Sequence, residues 1–210
     1  MKSDILINKL ILIVGLINFF GCAKKQELHN VYPYIITKDY LIDGIKEETV
    51  FFDTIIDNEL YLTLVKDLNG LVENVKSSDL RKGNITNQQA IDSAKKNLDR
   101  MLKEEKIKAT LFNGPNDIKF ILFSDHWLSA ASLYRSNLYT FASKNLKADT
   151  FYVSIPQRDA MIIFPKCNDN ELSDFKTMIK EKESDARKLL TWEIFQLDKN
   201  GLTRINKNGL

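Results

Sequence analysis

Apolar residues are gathered into short blocks along this chain, and the densest block runs from Asp149 to Phe164. Within it, Phe151 to Ile155 and Ala160 to Phe164 flank Pro156, Gln157, Arg158 and Asp159, a pattern that predicts a hairpin. Val153, Ile155, Met161 and Ile163 are apolar enough for a sheet covered by other elements. Pro156 is expected to end the first strand, because proline brings no N–H to a ladder. The hairpin should be central, and the one polar cluster inside the block is its turn.

Other blocks are arranged around it. Val31 to Ile36, Val50 to Ile56 and Leu60 to Leu64 carry β-branched, aliphatic and aromatic residues in strand-like runs, and Asn69-Gly70 marks a turn or loop. Ser77 to Asn84 reads as a polar connection. Thr86 with Gln89 three residues on has the form of a capping box, and Ile91, Ala94, Leu98, Met101 and Leu102 then recur at helical spacing, predicting a helix over 87–104. Ile107 to Phe112 and Ile118 to Phe123 flank a concentration of turn residues and predict a second hairpin. After Ser124, Asp125, His126 and Trp127, one helical segment is expected in which Leu128, Ala131, Tyr134, Leu138, Phe141 and Ala142 share a face. Asn168-Asp169-Asn170 can cap another helix with Leu172, Phe175, Met178 and Ile179 on its buried side and the charge run Lys180 to Glu183 on its exposed side. Trp192 to Leu197 and Leu202 to Ile205 surround Asn200-Gly201, a third hairpin signal.

Hairpins alternating with single helices predict an α+β domain over 31–210, built on a largely antiparallel β-sheet with about three packed helices. A chain of 210 residues accommodates one such domain and a leader. Thirty basic and 28 acidic residues are interspersed, which offers nucleic acid no single-sign face. The 44% hydrophobic content is that of a folded chain.

The first thirty residues differ in kind. Lys2 and Lys9 supply positive charge, Leu10 to Phe20 is nearly all apolar, and Gly21-Cys22 follows at once. This predicts a targeting segment over 1–21 and a polar tether over 22–30. Phe19-Phe20-Gly21-Cys22 resembles the lipobox of bacterial lipoproteins, although Phe19 stands where those proteins usually carry Leu. The resemblance implies an acylated Cys22 as mature N-terminus, a membrane partner reached through palmitate-like chains, and a place in the cell envelope: the outer membrane or the periplasmic side if the cell is Gram-negative. The alternative is an uncleaved signal anchor. Eleven helical residues reach only about 16 Å, against a hydrocarbon core of about 30 Å.

Three features of the mature part, taken in order, resemble the family known as domain of unknown function 1444. They are Leu60 to Asp67, the Ala94-x-x-Asn97-Leu98 pattern, and Val153 to Asp159 followed by an apolar strand. The similarity covers roughly residues 55–205 and implies a fold; it carries no catalytic residue.

Candidate chemistry is sparse. Arg158 and Asp159 at the central turn are the first candidates for binding: a guanidinium fork suits a carboxylate or phosphate, while the same two residues equally serve to fix a turn. Asp125 and His126 are the second, as a general base with its acid, against the simpler reading of Asp125 as a helix N-cap and Trp127 as core. No phosphate-binding, dinucleotide, zinc-protease or nucleophile-elbow motif is present, and two histidines with one unmodified cysteine, Cys167, predict neither metal nor cofactor. The reading that follows is a non-catalytic binding or interaction module with a protein or small-molecule ligand. An envelope hydrolase using His126 and Arg158 with a nearby acid is the alternative.

Overall fold

In the computed structural model the structure describes residues 28–42, 52–56, 60–184 and 189–205. The expected signal peptide and Cys22 lie outside them.

The fold is α+β, and among the described residues every strand pair is antiparallel and there are two sheets where one was expected. The smaller contains β1 (Val31–Thr37), β2 (Phe52–Ile56), β3 (Leu60–Leu68) and β4 (Leu71–Asn74), with β3 between β1 and β2 and β4 paired to the far half of β3. The larger runs in the order β10, β9, β7, β8, β6, β5. Its strands are β5 (Lys108–Asn113), β6 (Lys119–Ser124), β7 (Phe151–Gln157), β8 (Ala160–Pro165), β9 (Ile194–Asp198) and β10 (Gly201–Arg204). The hairpin of β7 and β8 is thus central, as the apolar density implied.

Side chains alternate across a strand, so β7 and β8 feed two cores at once. Phe151, Val153, Ile155, Met161 and Ile163 enter the core shared with the smaller sheet. Tyr152, Ile162 and Phe164 point the other way, against a helix. Both faces are covered, which is why these strands read as continuous apolar runs.

The helices are α1 (Lys38–Ile42), α2 (Ser77–Lys82), α3 (Asn87–Lys103), α4 (Leu138–Leu146) and α5 (Asp169–Lys182). Both longer ones begin at reciprocal capping boxes. Thr86 Oγ1 accepts from the N–H of Gln89 at 3.2 Å, Gln89 returns a bond to the N–H of Thr86 at 2.9 Å, and Asn168 and Glu171 do the same at 3.1 Å each. α3 lays Ala90 and Ala94 on Val31 and Leu64 and sends Leu98 into the inter-sheet core. Its buried Asn97 donates to the carbonyls of Leu28 at 2.6 Å and Val31 at 2.8 Å. The fold therefore takes in Leu28 to Asn30, the last residues of the expected tether. α5 stacks Phe175 on Phe164 with ring centroids 4.0 Å apart.

Several expectations are corrected. The stretch after Ser77 is a helix, α2, held by one buried residue, Leu80. β3 runs on to Leu68 and turns at Asn69-Gly70 into β4, which local pattern alone did not reveal. Pro156 does not end β7: the register shifts between Ser154 and Gln157, so its missing N–H interrupts no regular pair, and its carbonyl accepts from Leu190 at 2.8 Å. The helix expected after Trp127 is broken, with a 3-10 turn at Ala130–Tyr134 and α4 starting only at Leu138.

Candidate functional site

The polar candidates belong to two loops that the larger sheet brings to one end. The β6 strand leads into Asp125, His126 and Trp127, and the tight β7–β8 turn carries Arg158 and Asp159. The loops are tied together by the N–H of Ala130, which donates to the Arg158 carbonyl at 3.0 Å. Between them opens a cleft of roughly 440 Å³, lined chiefly by Asp125, His126, Trp127, Gln157, Asp159 and Glu183.

His126 is half-buried, and its Nδ1 accepts the N–H of Leu128 at 3.1 Å. A nitrogen that accepts is unprotonated, so the neutral ring carries its proton on Nε2. Burial pulls the imidazole below its ordinary range; the charge of Asp67 opposes that shift and Lys106 adds to it. The ring lies 5.5 Å from that of Trp127, which also packs against Tyr34 at 5.7 Å and Tyr32 at 6.5 Å.

Asp125 has φ +65° and caps no helix. Its carboxylate holds Lys108 at 2.8 Å, and that hydrogen bond keeps its pKa below the usual value. The adjacent acid and imidazole therefore do not form a dyad: one is bound to Lys108 and the other to Leu128.

Arg158 leaves the cleft altogether. Its guanidinium lies 5.0 Å from the ring centre of Tyr34 on β1 and 5.3 Å from that of Tyr40 on α1, joining the tip of the large sheet to the smaller one. Its Nε is buried with no hydrogen-bond partner. The reading of Arg158 as a ligand clamp gives way to that of a strut between sheets. Asp159, next in the turn, stays exposed and lines the cleft.

One cleft residue was not anticipated. Glu183 was expected on the solvated face of α5, yet it is half-buried and accepts a hydrogen bond from Gln157 Nε2. Burial raises its carboxyl pKa and the charge of Asp159 raises it further, against the donation from Gln157. A signal was present: Glu183 follows the buried Ile179 by four residues, one turn along the same stripe. Cys167 packs beside the Phe164 cluster, and burial pushes its thiol up to about 11, far from a reactive thiolate. Among the described residues no group of three or more His, Cys, Asp or Glu side chains is placed to hold a metal ion.

No family model, curated protein or solved structure matches the chain. What the cleft can do therefore follows from its own chemistry alone.

Proposed function

We propose that this protein is a lipid-anchored component of the cell envelope, fastened through acyl chains on Cys22, whose body is a binding module and not a catalyst. The similarity of residues 55–205 to the domain of unknown function 1444 family belongs to the same proposal and transfers no activity. The observation that carries the binding reading is how the candidate residues are engaged. The acceptor nitrogen of His126 is committed to Leu128, Asp125 to Lys108 and Arg158 to two tyrosines, so among these candidates no base stands beside a nucleophile. An envelope hydrolase using His126 and Arg158 would need the two to converge, and Arg158 does not line the cleft.

What the cleft offers is the carboxylates of Asp159 and Glu183, the imidazole of His126 and the indole of Trp127. Carboxylates beside an indole complement a ligand with a positively charged group. Calorimetric titration with arginine- and lysine-containing tripeptides tests this. They should bind, Asp159→Asn should weaken them about tenfold, a loss of ~1.4 kcal/mol, and an acidic tripeptide should give no heat. Turnover of peptide or ester substrates that vanishes in His126→Gln, with no cationic peptide bound, would refute it.

A further inference from the structure

The β3–β4 hairpin ends in an apolar tip for which the fold has no use. Leu68, Leu71 and Val72 are 44%, 67% and 43% exposed, three of the seven large apolar residues left open among the described residues, all between positions 68 and 72. Scattered surface leucines need no explanation; a contiguous group at the end of a hairpin does. Leu68 and Leu71 are cross-strand partners and share one face, while Val72, opposite Asp67, is on the other, so the tip is apolar on both sides.

The tip is also closed by a tight, hydrogen-bonded turn. Asn69 at φ +57° and Gly70 at φ +96° form a two-residue turn of the kind that matches strand twist, and Asp67 Oδ1 accepts the N–H of Gly70 at 2.9 Å. Docking such a tip costs little ordering entropy.

Its position singles out the partner. The N–H of Asp67 donates to the carbonyl of Asn30 at 3.0 Å, and Asn30 Nδ2 returns a bond to the carbonyl of Asp67 at 2.9 Å. The chain therefore enters the body at Leu28, against Asn97 of α3, and two residues later is bound beside Leu68. Cys22 is six residues before Leu28, a leash of at most roughly 20 Å. A body of this length has a radius of gyration of roughly 16 Å, so a leash that short cannot carry its far side round to the anchor.

We propose that the tip formed by Leu68, Leu71 and Val72 docks on the bilayer that holds Cys22 and inserts shallowly among its head groups, setting the orientation of the body. The inference rests on the lipoprotein reading of Cys22. A lipid surface is the occupant because the tether keeps it within reach at all times, and because the exposed side chains are aliphatic on both faces of a narrow hairpin, suited to end-on insertion.

The test uses the full chain, expressed and extracted from membranes, with Cys167→Ser and either Leu71→Cys or Leu111→Cys as the site of a polarity-sensitive fluorophore. Leu111, 47% exposed on β5, is the control at another edge. The mass of the N-terminal peptide reports acylation directly. In vesicles of phosphatidylethanolamine and phosphatidylglycerol containing nitroxide-labelled lipid, emission at position 71 should shift to the blue and be quenched several-fold more than at position 111. An acylated chain whose two positions are quenched alike overturns the docking proposal alone. A blue shift at position 71 without lipid quenching overturns it too, since protein then covers the tip. An N-terminal peptide without acyl chains overturns the lipoprotein reading and the docking with it.

Discussion

Replacing Arg158 with Ala asks whether this residue joins the sheets or meets a ligand. The guanidinium sits over two tyrosine rings, at 5.0 and 5.3 Å, in a half-buried position. Each cation–π contact contributes about 0.5–1 kcal/mol near solvent and approaches ~2 when desolvated. Against this, the substitution removes a buried Nε that has no partner, relieving a cost of about 1 kcal/mol or more. The net expectation is a destabilisation of about 1–2 kcal/mol. For a domain of this size that corresponds to a fall in Tm of roughly 2–8 °C. Urea unfolding should show a lower midpoint at unchanged slope, and a double-mutant cycle with Tyr34→Leu should return a coupling of about 0.5 kcal/mol or more. A second readout is independent of stability. Burial raises the Tyr34 phenol, and the Arg158 charge and hydrogen bond pull it back. Arg158→Ala removes that pull, so Tyr34 should ionise at still higher pH in an ultraviolet titration. Stability within ~0.3 kcal/mol of wild type, an unmoved Tyr34 titration and a loss of ligand would refute the strut and return Arg158 to the binding site.

Two further outcomes follow from the packing and from the imidazole. A methyl group on Gly114 would meet Phe175 Cζ at 2.9 Å and Phe120 Cδ1 at 3.0 Å, and Phe175 is fully buried and stacked on Phe164, so Gly114→Ala should cost about 1–3 kcal/mol in urea unfolding; wild-type stability would show that the rings give way. His126 titrates below its ordinary value when folded, so between about 6.5 and that depressed value the unfolded chain holds a proton the folded chain does not. Stability should therefore decline as pH falls through this window and level off below it, and His126→Gln should flatten the slope; an equal slope in the variant would place its origin elsewhere.

Much of the fold was legible because its signals are local. Thr86 with Gln89, and the cap at Asn168, start helices where the capping pattern says they should, since such bonds close within four residues. Asn69-Gly70 turns because two consecutive positive φ angles suit few other pairs. The continuous apolar character of β7 and β8 likewise announced a strand pair covered on both faces. The site was less legible. Asp125, His126 and Asp159 do converge, but Arg158 stayed open between ligand and structure, because one guanidinium serves equally well as a clamp or as a brace. Glu183 was hidden in a charge run whose first three residues are exposed.

By itself, then, the order of residues determined most of the strands and the two helices that start at caps, that the β7–β8 hairpin is central, and where the polar exceptions to an apolar block fall; α1, α2 and β4 it did not announce. Only the tertiary structure decided that there are two sheets and that β7 continues past Pro156. It also decided that neighbours in one turn, Arg158 and Asp159, serve opposite purposes, one wedged between tyrosines and one facing a cleft. Caps, turns and periodicity act between residues a few positions apart, whereas the direction a charged side chain takes depends on which aromatic or carboxylate arrives beside it from a distant part of the chain.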